Sequence, residues 1–139
     1  MQDFKKLNVW KKAHDLTLGV YSATRSFPPE EVFGLRSQMR RASSSIGINI
    51  AEGCGRSSQL ELRRYLRMSQ GSASELEYEL LLARDLGLLS EKAYGDLSNQ
   101  VVEIKRMTTA LIRKLRTENW KPKTRFALGS GRKSHFSAV

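Results

Sequence analysis

Catalysis would have few groups to work with in this 139-residue chain, whose histidines are His14 and His135 and whose single cysteine is Cys54. A di-iron site between bundle helices needs a carboxylate three residues ahead of its histidine. Those positions hold Lys11 and Arg132. One thiol and two imidazoles cannot build a zinc cluster, so no metal or other cofactor is expected. Arg56 lies close enough in sequence to favour a Cys54 thiolate, but no histidine is placed as its base, and Cys54 reads as a turn cysteine. The segment GCGRSS (53–58) lacks the lysine and the spacing of a Walker-type phosphate loop. Glu75 and Glu79 stand one helical turn apart, where a solvated or intersubunit face is the ordinary explanation. No residue is assigned a catalytic role, and the chain is expected not to be an enzyme.

Charge is the chemistry that remains. Twenty-four lysines and arginines against 14 carboxylates leave a net charge of +10, which attracts polyanions, nucleic acid before membrane. The cations that group together are Lys11 and Lys12, with Lys5 and Lys6 ahead of them, then Arg56, then Arg63, Arg64 and Arg67, and finally Arg113, Lys114 and Arg116. Such side chains displace counterions from phosphates, which gives sequence-tolerant affinity with steep salt dependence. Aromatic residues able to stack on bases are few: Trp10, Tyr65 and Trp120. Trp10 and Tyr65 fall near core positions, so little sequence specificity is expected.

The elements that must position these cations are helices. Val9, Trp10, Ala13, Leu16, Val20, Tyr21 and Thr24 recur at helical spacing, and Ser26-Phe27-Pro28-Pro29 stops that helix because proline disfavours the helical conformation in the residue before it. Pro29 is then expected in the first turn of the next helix, with Glu30 and Glu31 suiting its dipole. The stretch from Phe33 to Glu79 reads as two helices around a tight turn. Leu35, Met39, Ala42, Ile46 and Ile50 line the first, and Gly53 and Gly55 are expected to end it by supplying a left-handed stop. Ser58 with Glu61 three residues on has the spacing of a capping box. Leu62, Leu66, Ser69, Ala73, Leu76 and Leu80 form the face of the helix that follows, and Leu86-Gly87-Leu88-Leu89 closes it. Ser90 is the expected N-cap of a fourth helix, whose seam runs through Tyr94, Leu97, Val101, Ile104, Thr108, Leu111 and Leu115.

No stretch alternates as a half-buried strand does, so the fold class is all-α, an up-down-up-down antiparallel four-helix bundle. It occupies 1–116. Residues 117–139, with KPKTRFALGSGRKSHFSAV, lack a helical period and are expected to form a basic, mostly disordered tail. Antiparallel wiring puts the start of the first and third helices beside the finish of the second and fourth. All the cations named above then share one end. Glu30, Glu31, Glu79, Asp85, Glu91 and Asp96 share the other, with Glu75 and Glu77 nearby. The third helix carries arginines early and carboxylates late, the reverse of what its dipole favours, at roughly 0.3–1 kcal/mol per exposed charge. A polyanion at the basic end would compensate, as would charge pairing between subunits; a solvated pattern with no partner is the plainer alternative.

Small residues gather where the two central helices cross: Ser43, Ser44, Ser45, Gly47 and Ala51 on one, Gly71, Ser72 and Ala73 on the other. A glycine inside a helix costs roughly 1 kcal/mol against alanine. Close backbone approach at Gly47 and Gly71, by a neighbouring helix or another subunit, is expected to offset that. Asn49, Glu52 and Glu75 read as members of a hydrogen-bonded structural network. Leu60, Met68, Tyr78, Leu81 and Leu82 give the third helix more apolar surface than one partner needs, so a homo-oligomer is expected. One cysteine allows no internal disulfide, and neither a signal peptide nor a membrane-spanning stretch is legible. A cytoplasmic protein without membrane contact is expected.

FKKLNVWKKAHDL, FPPEEVFGLRSQMRRASSSIGINIAEGCGR and YLRMSQGSASELEYELLLARDLGLL together resemble the four-helix-bundle family of 23S rRNA intervening-sequence proteins, also called S23 proteins. The likeness covers about residues 4 to 116, with NIAEG and GSASELE its most specific parts. A related protein is the accessory variability determinant of diversity-generating retroelements, a barrel-shaped homopentamer that binds nucleic acid and a reverse transcriptase. The resemblance thus implies a four-helix bundle, assembly as a pentamer, and RNA or DNA as partner. It also implies an alternative role as a protein-interaction scaffold, for example an accessory subunit for a reverse transcriptase. It carries over no catalytic residues.

Overall fold

The computed structural model describes residues 2–31 and 33–119, with side chains described as far as Leu115 in the last helix. Four helices follow one another: α1 (Asn8–Thr24), α2 (Leu35–Cys54), α3 (Gln59–Asp85) and α4 (Glu91–Asn119). Each packs on its neighbours in the chain, and α1 closes the ring against α4. Cross-helix contacts fix the antiparallel register. Thr17 donates to the Ser43 carbonyl at 3.0 Å, and Ser69 to the Ile46 carbonyl at 3.0 Å. Gln70 donates to Thr109 at 2.8 Å, and Lys12 lies 3.4 Å from Glu103. The chain is an all-α, up-down-up-down four-helix bundle.

Most of the predicted apolar faces form the core, but Tyr21 is exposed, Trp10, Tyr94 and Leu111 are only partly buried, and Phe27, Leu89 and Ile112 join the core from outside the predicted faces. Leu16, Met39, Ile46, Ile50, Leu66, Leu76, Leu80 and Ile104 are all fully buried. Each contributes roughly 1.5–3 kcal/mol relative to exposure. Hydroxyls that enter this core bring their own acceptors within reach. Thr24 and Thr108 bond the carbonyls one turn back, at 2.8 Å and 2.7 Å, and Ser69 reaches across to α2. Of the expected Asn49, Glu52 and Glu75 network, Asn49 donates instead to the Ser45 carbonyl at 2.9 Å, and Ser45 meets Ser72 of α3 at 2.8 Å, while Glu52 turns to Arg56 and Glu75 lies against Glu79.

Helix ends agree with local chemistry in three places. Ser58 accepts from the Glu61 N–H at 3.1 Å, and Ser90 from the Ala93 N–H at 3.0 Å. After α3, Gly87 adopts φ +78°. The Leu88 N–H then reaches the Ala83 carbonyl and the Gly87 N–H the Arg84 carbonyl, both at 2.9 Å. This is a Schellman stop, which satisfies carbonyls that the helix would leave open.

Elsewhere the structure departs from expectation. Pro29 opens a short 3-10 turn (Pro29–Glu31) rather than α2, which starts at Leu35 with the Glu31 carboxylate accepting its N–H at 2.8 Å. Gly55 ends α2 with φ −82°, in the ordinary helical region, so no left-handed stop operates there. Gly53 lies inside α2, and closeness to α3 explains it. An ideal β-carbon would meet Tyr65 Cβ at 2.8 Å and Leu62 Cδ1 at 2.9 Å. At Gly47 the approaching group is the Trp10 indole rather than backbone, and nothing lies within 4 Å of a β-carbon on Gly71. Finally, α4 continues to Asn119, past the boundary expected at 116. The expectations for the tail from Trp120 onward lie outside the described residues.

Candidate nucleic-acid interface

Chain wiring brings four segments to one end of the bundle. The Gln2 N–H bonds the Cys54 carbonyl at 3.0 Å, tying the N-terminal segment to the last residue of α2. A 3-10 turn (Phe4–Lys6) follows, capped by Asp3 accepting from the Lys5 N–H at 3.0 Å, so Lys5 and Lys6 stand beside the α2–α3 connection. Arg56 belongs to that connection, and Arg63, Arg64 and Arg67 to the first turns of α3. Arg113, Lys114 and Arg116 fall in the last turns of α4; the Arg116 side chain lies outside the described residues. Lys11 and Lys12 start on the second turn of α1, nearer the waist of the bundle.

Sharing an end is not the same as sharing a face. Lys12 pairs with Glu103 across the α1–α4 seam, and Lys114 lies three turns along from Glu103 on that same side of α4. Arg63 is two turns from Gln70 and Arg113 one turn from Thr109, the pair that bridges α3 and α4, so both fall on that seam. The cations therefore surround the end, with the α3–α4 seam the denser side. Lys11, Arg64, Arg67, Arg113 and Lys114 are exposed.

Among the predicted site residues, Lys12 and Arg56 have carboxylates of their own subunit close by. Lys12 and Glu103 are both about half exposed, and such surface pairs contribute about 0–1 kcal/mol. Arg56 is better held. Its Nη2 donates to Tyr65 Oη at 2.7 Å and to Glu52 Oε2 at 3.2 Å, with the guanidinium 5.0 Å from the Tyr65 ring centre. The Tyr65 hydroxyl first, with Glu52 and Glu61 behind it, holds the Arg56 pKa above its usual value. Tyr65 is thus committed to Arg56. Trp10, also half-buried, stacks on His14 at 5.1 Å and meets Phe4 edge-on at 4.9 Å. With Ile48 these rings line a cavity of about 300 Å³ between α1 and α2. Cys54 is buried, and burial is the main force pushing its thiol pKa up, which makes it a poor nucleophile.

The opposite end is less acidic than adding up carboxylates suggests. Asp85 pairs with Arg84 at 3.0 Å, Asp96 with Lys92 at 3.2 Å, and Glu77 with Lys105 of α4 at 2.7 Å. The Asp85 hydrogen bond is also the largest cause of a raised Arg84 pKa. Glu79 is 4% exposed, and its buried Oε1 has no hydrogen-bond partner. Burial first, then the charge and hydrogen bonding of Glu75, push its pKa up to about 7, with Arg41 pulling the other way. The misplaced charges on α3 are thus partly answered inside the subunit.

The cations in that half are not among the residues that the sequence brings forward. Arg36, Arg40 and Arg41 of α2, with Ser37, Ser44 and Tyr21, line a cavity of about 460 Å³. The signal was present as an arginine followed four and five residues later by two more, which places all three on adjoining strips of one helix. Assigning charge by bundle end hid them.

Known proteins add the following. No curated protein matches the chain. Among solved structures it is similar to a protein of unknown function from the S23 ribosomal protein family of Bacteroides thetaiotaomicron. The two are 23% identical with a TM-score of 0.68, over 75% of this chain and 97% of that one, a likeness of fold. The family model described as 23S rRNA-intervening sequence protein matches residues 5–110. With most of its bundle inside that match, the chain belongs to the 23S rRNA-intervening sequence protein family.

Proposed function

We propose that this protein is a non-catalytic, homo-oligomeric, cytoplasmic bundle that binds nucleic acid through its basic end, by contacts to phosphates with low sequence specificity. The observation that carries this reading is the gathering of exposed Arg64, Arg67, Arg113 and Lys114 where α3 begins and α4 finishes. Arg56, Arg63 and Arg116 join them by their place in the chain, and Lys11 and Lys12 extend the set toward the waist of α1. With Tyr65 engaged by Arg56 and Trp10 by His14, base stacking is a minor contributor. In an oligomer each basic end repeats, so weak contacts add through multivalency. Titration of a fluorescent oligonucleotide at two salt concentrations tests the reading. Affinity should fall steeply with salt and drop when Arg63, Arg64 and Arg67 become alanine. Absent binding at low salt would refute it.

A protein-interaction scaffold is the second reading, favoured by apolar side chains on the outer surface of α3. Leu60 is 58%, Met68 50% and Tyr78 62% exposed. A monomer gains nothing from leaving them in water. Self-association covers them in the first reading; a partner such as a reverse transcriptase covers them in this one. Pull-down with and without nuclease separates the two, since a protein partner that survives nuclease supports the scaffold. The family resemblance suggests five subunits, and mass measurement by light scattering checks that number.

A further inference from the structure

The cavity lined by Arg36, Arg40 and Arg41 lies on the outer face of α1 and α2, toward the end away from Arg56. Its composition is costly for an empty surface. Arg36 occupies the first turn of α2, where the helix dipole disfavours cations, and Arg40 repeats the charge one turn later. Among the described residues, none of the ion pairs involves Arg36, Arg40 or Arg41. Arg41 does act on Glu79 across the α2–α3 seam, but without an ion pair between them.

Arg40 is also immobilised. Its Nε donates to Thr24 Oγ1 at 2.9 Å and its Nη2 to the Tyr21 carbonyl at 3.1 Å, with the guanidinium 4.5 Å from the Tyr21 ring centre. Ordering so long a side chain costs entropy, and with Nε and one Nη2 hydrogen engaged, the remaining Nη hydrogens are fixed donors for the oxygens of a tetrahedral anion. Arg36 and Arg41 flank it with two more forks, and the Ser37 hydroxyl adds a neutral donor.

We propose that this cavity is a phosphate site that takes a doubly charged phosphate group, free or at the end of a nucleic-acid strand. A dianion neutralises most of the positive charge and accepts paired hydrogen bonds from more than one guanidinium. The site is separate from the basic end and stands whether or not that end binds nucleic acid.

Calorimetric titration of the full chain with inorganic phosphate at low salt tests it, alongside a short oligonucleotide with and without a 5′-phosphate. Arg36→Gln with Arg41→Gln should weaken phosphate binding at least about tenfold, the worth of one lost charged hydrogen bond. Neither side chain belongs to the apolar core, and a cooperative melt with the parent's helix content shows that the variant is folded. Arg40→Lys keeps the charge but loses the fork, and should weaken binding severalfold. Replacing Arg63, Arg64 and Arg67 with alanine should weaken phosphate binding less than the Arg36/Arg41 variant does. Tighter binding of the 5′-phosphorylated strand that depends on Arg36 and Arg41 identifies a strand end as the ligand; equal binding of the two strands identifies free phosphate. The proposal is overturned if phosphate does not bind, if the Arg36/Arg41 variant binds as well as the parent, or if the variant at the basic end loses binding equally.

Discussion

A β-carbon on Gly53 would stand 2.8 Å from the Cβ of Tyr65, so α2 and α3 are in backbone-to-side-chain contact at the end where the cations gather. That contact sets Tyr65 where its hydroxyl receives Arg56. Gly53→Ala gains helix propensity worth about 1 kcal/mol but overpacks the seam, which typically costs about 1–3 kcal/mol. A net loss of about 1 kcal/mol is expected in urea unfolding. Unchanged or increased stability would mean that the helices separate cheaply there.

Gly87 and Gly55 should behave in opposite ways. Alanine at Gly87 must adopt φ +78°, at a cost of about 1–2 kcal/mol, although space is open around it. Alanine at Gly55, in an ordinary helical conformation with only ordinary contacts, should be tolerated within about 0.5 kcal/mol. Thermal melts of the two variants check the contrast.

Glu79 ties stability to pH. Its pKa rises from an unfolded value of 4.5 to about 7 in the fold. The folded state therefore binds the proton more tightly, and its advantage is complete below 4.5 and lost as pH rises through 7. Integrated over that window, the loss is up to about 3 kcal/mol. Glu79→Gln should match the parent near pH 5, exceed it near pH 8, and flatten the profile between. A parent whose unfolding free energy is constant across that range would contradict the assignment.

Salt dependence measures the basic end directly. If Arg63, Arg64 and Arg67 each neutralise one phosphate, their removal lowers the log–log salt slope for a single strand by about 2. A fall in affinity with no change of slope would mean that these arginines act on folding or assembly instead.

Gly71 reports on self-association. With open space around it, Gly71→Ala should stabilise the helix by about 1 kcal/mol. Gly71→Gln, together with Tyr78→Ser, should shift the mass in light scattering toward the monomer if α3 carries the subunit interface. An unchanged mass would place the interface elsewhere.

Helical periodicity is a local property, so the four helix faces, the buried seams and the caps at Ser58 and Ser90 were all readable from neighbouring residues. Short connections between four helices then fixed the up-down wiring and, with it, the end to which Arg56, Arg63 and Arg113 belong. What the sequence could not supply was the rotation of each helix about its own axis and the closeness of each crossing. Those determine that Gly53, not Gly47 or Gly71, is the tight point, because the gap between backbones depends on the side chains of both partners. The same geometry pairs Glu77 with Lys105, leaves Glu79 buried beside Glu75, and turns Arg36, Arg40 and Arg41 outward into one cavity beside Tyr21. Charges interact through distances of a few ångströms, and in a bundle those distances are decided by packing between helices rather than by order along the chain.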